Sequence, residues 1–151
     1  MVEADENIGL REMFYIEGGN FANAGATSSR VKKILKEIGF PGKIIRRTAI
    51  AAFEAEMNVI CYANQGNLSL FITPSFLKVV VKDEGIGIPD VNLAMQEGYS
   101  TADERIRELG FGAGMGLSNI KRNTDEMILT SQPGQGTHLE FIVYLNEQAK
   151  E

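Results

Sequence analysis

Glu54 and Asn58 stand four residues apart in an otherwise apolar run, so on a helix they share one face, one turn from each other. The pair fits an ordinary polar helix surface. It also fits chemistry, because an amide oxygen is a neutral hard ligand for Mg²⁺ and a nearby carboxylate can orient or deprotonate an attacking hydroxyl or water. A second carboxylate, Asp83, opens the run Asp83-Glu84-Gly85-Ile86-Gly87 at a strand end. Gly85 and Gly87 beside it let backbone approach a flat ring closely. An acidic acceptor there takes the exocyclic amino donor of adenine, whereas guanine presents a carbonyl at the corresponding place.

The third feature is Gly110-Phe111-Gly112-Ala113-Gly114-Met115-Gly116-Leu117, with glycine at every second position. Such a run weakens helix and strand alike and reads as kept for backbone freedom. It feeds a segment with helical propensity in which Leu117 and Ile120 are three apart. A flexible loop entering a helix N-terminus is an anion site, since free amides and the helix dipole both point at the ligand. The fourth feature, Gly134-Gln135-Gly136-Thr137, is a turn followed by a hydroxyl, and taken alone it is an ordinary hairpin turn. Three common nucleotide signatures do not match. From Gly110 the sixth residue is Met115 and from Gly112 it is Leu117, so the dinucleotide fingerprint is absent. Gly42-Lys43 is followed by Ile44 and lacks the upstream glycine of a Walker loop. The protein-kinase set is missing too, and the sole histidine, His138, reads as a structural or surface residue.

Composition bounds the rest. A chain of 151 residues suits one domain, 1–151, with residues 1–9 polar and frayed. The net charge of -5 and pI near 5.0 argue against a nucleic-acid partner bound through a broad basic surface. Cys61 is the one cysteine and reads as a buried, inert thiol. There is no apolar stretch of membrane-spanning length and no basic-then-apolar leader, so the expected setting is cytoplasmic, away from the membrane.

The elements that position these residues follow from periodicity. Arg11 to Glu17 reads as a strand closed by Gly18-Gly19. Thr27-Ser28-Ser29 is an N-cap signal for a helix with Val31, Ile34, Leu35 and Ile38 at helical spacing, ended by Gly39, while Lys32, Lys33 and Lys36 form a solvated face. Pro41-Gly42 starts a longer helix to about Ala63, with Ile45, Ala49, Ala52, Phe53, Met57, Ile60 and Cys61 along one side. Asn64 to Asn67 reads as a break. Strands follow over Leu68 to Thr73 and Phe76 to Lys82, joined as a hairpin at Pro74-Ser75. Residues 90–97 read as a short helix and Gly98 to Gly112 as a mobile loop. Met127 to Ser131 and Thr137 to Leu145 are two last strands. The sum predicts an α+β two-layer sandwich, helices on one face of a mainly antiparallel mixed sheet.

Glu54-Ala55-Glu56-Met57-Asn58, Asp83 to Gly87, Gly110 to Gly116 and Gly136-Thr137 resemble, in order and spacing, the N box and three glycine boxes of the Bergerat-fold (GHKL) ATPases. Within that superfamily the chain looks most like the small bacterial anti-sigma factor and switch-protein serine kinases of the RsbT and RsbW type. A glutamate precedes the asparagine by four, and neither a phosphorylatable-histidine helix nor a transducer domain accompanies the boxes. The resemblance implies Mg·ATP as cofactor. Glu54 would be the general base and Asn58 the Mg²⁺ ligand. Asp83 would bind the adenine amino group with Thr137 in support, and Gly85 and Gly87 would shape the adenine floor. Gly112, Gly114, Met115, Gly116 and Leu117 would wrap the phosphates, and Ser100 and Thr101 belong to an ATP lid over 98–112. The acceptor would be a serine on a STAS-domain anti-anti-sigma or stressosome protein, with a sigma factor or serine phosphatase as further partners and a homodimer within the family's range. A non-catalytic anti-sigma factor or phosphatase-activating module, and a plain ATPase switch, are the alternatives. The lid follows the family only at Ser100-Thr101, which leaves Arg105 and Arg107 without a role beyond phosphate or partner contact. Glu56, two positions from Glu54, points to another side of the helix.

Overall fold

A computed structural model of the chain describes residues 9–85, 116–132 and 134–146. In order these form β1 (Leu10–Glu17), a 3-10 turn (Phe21–Asn23), α1 (Ala26–Ile38), α2 (Gly42–Tyr62), β2 (Ala63–Ile72), β3 (Phe76–Gly85), α3 (Gly116–Asn123), β4 (Glu126–Gln132) and β5 (Gly136–Tyr144). The expected helix over 90–97 and loop over 98–112 lie outside the described residues. The five strands form one sheet in the order β1-β2-β3-β5-β4, and every pairing among them is antiparallel. The expected two-layer sandwich with a mainly antiparallel sheet is therefore present, and among the described strands every pairing is antiparallel.

Alternation along the strands sends one set of side chains to the helices. Phe14 and Ile16, Leu68 and Leu70, Leu77, Val79 and Val81, and Leu139, Phe141 and Val143 are buried there with Val31 and Leu35 of α1 and Leu117 and Ile120 of α3. Continuing β3 at period two from Val81 puts Asp83 on the same side, beyond the end of the apolar ladder. α2 packs against α1, α3 and strands β1, β2, β3 and β5. It is buried over more of its circumference than the expected stripe, since Ile44, Ala51, Ala55 and Val59 also face inward while Ala49, Phe53 and Cys61 are only half-buried. Alanines at 51, 52 and 55, at most 1% exposed, let its neighbours approach closely.

Two boundaries differ from the sequence reading. Asn64 to Asn67 is strand, because Gln65, Gly66 and Asn67 find partners on both sides: Glu17, Ile16 and Tyr15 of β1, and Glu84, Asp83 and Lys82 of β3. A Cβ on Gly66 would lie 2.9 Å from the Lys82 carbonyl and 3.0 Å from Val59, so glycine here permits α2 to lie on the sheet. Helix α1 begins at Ala26, ahead of the expected Ser/Thr cap, after Gly25 in the left-handed region at φ 93°. No side chain of its own caps it. The cap is the Glu56 carboxylate of α2, which accepts from the amides of Gly25 at 3.1 Å, Thr27 at 3.2 Å and Ser28 at 2.9 Å. Glu56 is 1% exposed, and its charge is met by three donors at the positive end of a helix dipole.

Two buried polar groups on α2 therefore differ in account. Glu56→Ala should lower the unfolding free energy by about 2–4 kcal/mol, since it strands buried amides as well as removing charge-assisted bonds. A denaturation midpoint indistinguishable from the parent would contradict this. The Thr48 hydroxyl, fully buried, has no hydrogen-bond partner among the described residues. Thr48→Val keeps the shape and should raise stability by up to about 1 kcal/mol in the same measurement.

Candidate functional site

Two polar clusters lie on the helix-bearing side of the sheet. The first joins α2 to the start of α3. Glu54 and Asn58 project from α2 on successive turns, both half-buried. Gly116 opens α3 against them: a Cβ built there would sit 3.5 Å from Asn58 Oδ1 and 4.0 Å from Glu54 Oε2. The end of the glycine run thus meets both expected side chains, and with no side chain of its own it leaves the space between them open. Asn119, one turn into α3, donates from Nδ2 to Glu54 Oε2 at 2.9 Å.

Helix α3 is seated independently of that bond. Leu117 and Ile120 are buried in the core. Arg47 of α2 donates through Nε to the Asn123 carbonyl at 3.1 Å and through Nη2 to Asp125 Oδ1 at 3.1 Å. Asp125 Oδ2 accepts the Tyr144 amide at 2.8 Å, so one carboxylate ties α2, the α3 exit and β5. Leu117, expected near the phosphates, places its side chain in the core, which leaves its backbone for any ligand role.

The second cluster joins the end of β3 to the start of β5. Asp83 Oδ1 accepts the Thr137 backbone amide at 3.0 Å. Gly136, at φ 86°, allows this approach, because a Cβ there would fall 2.1 Å from the Asp83 carbonyl. Among the described residues Asp83 Oδ2 receives no hydrogen bond. The Thr137 hydroxyl shares a hydrogen bond with Ser131 Oγ at 3.0 Å, and Ser131 also donates to the Gly136 carbonyl at 3.1 Å. Burial pushes the Asp83 carboxyl above its ordinary value, and the Thr137 amide offsets part of that rise. Gly85 serves a packing purpose at the α2–β2 junction: its Cβ would lie 2.9 Å from the Tyr62 carbonyl and from the Ala63 Cα. Burial and then the Glu54 charge push the Cys61 thiol up to about 11, so it stays protonated at neutral pH, in line with an inert thiol. His138 lies on the opposite sheet face, bonded to Glu140 at 2.8 Å. Gly87, Ser100, Thr101, Gly112, Gly114 and Met115 lie outside the described residues.

An open carboxylate oxygen at the end of a strand, and an acid and an amide facing a glycine at a helix start, thus lie on one side of the sheet. Residues 45–148 match the model of the histidine kinase-, DNA gyrase B- and HSP90-like ATPases. The chain belongs to that family. It is 32% identical to serine/threonine-protein kinase RsbT of Bacillus subtilis over 118 residues, 76% of this chain and 83% of that one. It is 34% identical to the anti-sigma F factor of Caldanaerobacter subterraneus subsp. tengcongensis over 104 residues, 66% of this chain and 68% of that one. In fold it is similar to a SiaB–SiaC complex structure from Pseudomonas aeruginosa, with TM-score 0.56 and 15% identity over 91% of each chain. Mycobacterial sensor histidine kinase MprB is a further fold neighbour, with TM-score 0.52 and 17% identity over 88% of this chain and 97% of that one.

Sequence reasoning missed Asn119, Ser131 and the Arg47–Asp125 bridge. The one cue for Asn119 is a polar residue three after Gly116, between buried Leu117 and Ile120. The raised Asp83 pKa gives a prediction with a definite sign. The folded chain holds this proton to higher pH than the unfolded chain, so the associated stability is full below 3.8 and is lost as pH rises through the folded value. Asp83→Asn should therefore melt at or above the parent temperature at pH 7, with the difference vanishing below pH 3.8. A variant that melts lower only at neutral pH would contradict it.

Proposed function

We propose that the chain is an ATP-dependent protein serine/threonine kinase that passes the γ-phosphate to a serine of a STAS-domain anti-anti-sigma or stressosome partner, and so controls a sigma factor or phosphatase by partner switching. The observation that carries this reading is the convergence of Glu54 Oε2 and Asn58 Oδ1 on Gly116 at the start of α3. It supports a reading in which the Glu54 carboxylate is the proton acceptor and Asn58 the amide ligand, beside a helix start where phosphate charge is favoured.

The donor set suits Mg·ATP. Among the described residues no three His, Cys, Asp or Glu side chains gather as a metal cage. Asn58 as a single neutral oxygen ligand fits a magnesium ion that takes its remaining ligands from phosphates and water. When bound, that ion neutralises charge on the transferring phosphate. Asp83 would accept the adenine amino group through Oδ2 while Oδ1 stays on Thr137. Gly87, Ser100, Thr101, Gly112, Gly114 and Met115 are assigned by the family pattern to the adenine floor, the lid and the phosphate wrap.

Glu54 would accept the serine proton as the hydroxyl oxygen bonds to the γ-phosphorus. The bond from that phosphorus to the β–γ bridging oxygen breaks, and ADP leaves with the electron pair. Most of the acceleration in such transfers comes from positioning and charge neutralisation, with the base contributing the rest. Similarity to RsbT over most of both chains supports transfer as the function. Similarity to the anti-sigma F factor favours a second reading, in which ATP serves to order a surface that sequesters a partner.

Incubation with γ-labelled ATP and candidate STAS proteins separates the readings: label on the partner supports transfer, and nucleotide-dependent binding without label supports sequestration. Glu54→Ala should reduce transfer by at least about 10²-fold while leaving ATP affinity within a few-fold of the parent. Intact transfer in that variant would remove Glu54 from the role of base.

A further inference from the structure

We infer that Asn119 is the positioning residue for the Glu54 carboxylate and sets which of its oxygens takes the proton. This rests on the kinase reading for the role of Glu54 and deepens it. Asn119 Nδ2 donates to Glu54 Oε2 at 2.9 Å across the α2–α3 contact. The amide is itself oriented, because Arg122 Nη2 donates to Asn119 Oδ1 at 3.4 Å, which turns the NH₂ group toward Glu54. Among the described residues Glu54 Oε1 receives no hydrogen bond. One oxygen is thereby held and the other is left as the proton acceptor.

The geometry matters because a half-buried glutamate has three side-chain torsions and an unheld carboxylate samples several rotamers. A base displaced by about 1 Å costs on the order of 10²-fold in rate. The bond also passes from α3 to α2, and α3 begins at Gly116, where the glycine run ends. Any ligand that repositions the first turn of α3 moves the donor of the base with it.

A purely architectural role is separable from this one. α3 is docked by Leu117 and Ile120 and by the two Arg47 bonds, one to its last residue, Asn123, and one to Asp125 just past it, none of which involves the Asn119 side chain. Its backbone carbonyl accepts from Asn123 Nδ2 at 2.8 Å, a bond that a side-chain change at 119 leaves in place. The side chain therefore acts on Glu54 more than on the fold.

The test uses the full chain with Mg·ATP and the STAS protein that accepts label in the experiment above. Asn119→Ala should lower kcat roughly 10- to 100-fold with ATP Kd and partner KM within about threefold of the parent. Asn119→Asp keeps the shape, loses the donor and places a like charge beside Glu54, so it should fall at least as far. Asn119→Gln keeps a donor on a longer arm and should recover part of the loss. The inference is overturned if Asn119→Ala transfers within twofold of the parent. It is overturned equally if ATP affinity falls in step with kcat, or if the Asp variant outperforms the Gln variant. A parent chain that labels no partner overturns the kinase reading and the role of Asn119 with it. A parent that labels its partner alongside an equally fast Asn119→Ala overturns this inference alone.

Discussion

The Glu56 carboxylate, buried against the amides of Gly25, Thr27 and Ser28, fixes the rotation of α2 about its own axis. Residues on a helix turn by about 100° each, so Glu54 lies about 200° round from Glu56, on the far side. With Glu56 committed to α1, Glu54 and Asn58 must face α3. One buried acid therefore sets the direction of a second acid two residues away. Moving Glu56 from its amides would cost a buried charge its donors, and that penalty resists any roll of α2 that would carry Glu54 away from Gly116.

Much of this arrangement is legible in the sequence because it is local. Glu54 and Asn58 break an apolar run at helical spacing, Asp83 extends the period-two ladder of Leu77, Val79 and Val81, and Gly39 closes α1 at φ 98° in the left-handed conformation its position demands. The parts that were not legible are non-local. Thr27-Ser28-Ser29 has the composition of a cap, yet the carboxylate that caps α1 comes from 28 or more residues downstream, and no propensity encodes that. Asn64 to Asn67 has the composition of a turn, yet it is strand because β1 and β3 offer backbone partners on both edges. In each case tertiary pairing overrides a local preference worth about 1 kcal/mol or less. Asn119 belongs with these, since its partner is 65 residues away on another helix.

The second cluster rests on close backbone approach. Gly136 permits β5 to bring the Thr137 amide onto Asp83 at a separation that no Cβ would tolerate. The Ser131 and Thr137 hydroxyls brace the same turn, so the acid is held by a rigid strand start and not by a loop. Groups held on paired strands need less ordering to meet a ligand than groups on a loop.

Asp83 and Glu140 sit on neighbouring strands of the same sheet, on opposite faces, and their charges are treated in opposite ways. At Glu140 burial raises the carboxyl, but the His138 ring at 2.8 Å and the Lys78 ammonium at 3.4 Å outweigh it and hold the group below its ordinary value. Both oxygens of Glu140 are engaged, so the acid is satisfied within the protein. At Asp83 burial prevails, because among the described residues a single backbone amide meets it. Across the sheet a ring and a cation relieve such burial at Glu140, whereas among the described residues Asp83 has the Thr137 amide alone. An acid that the described residues leave partly unsatisfied, on the face that also carries Glu54 and Asn58, follows the pattern by which strained ionisable groups gather at functional sites.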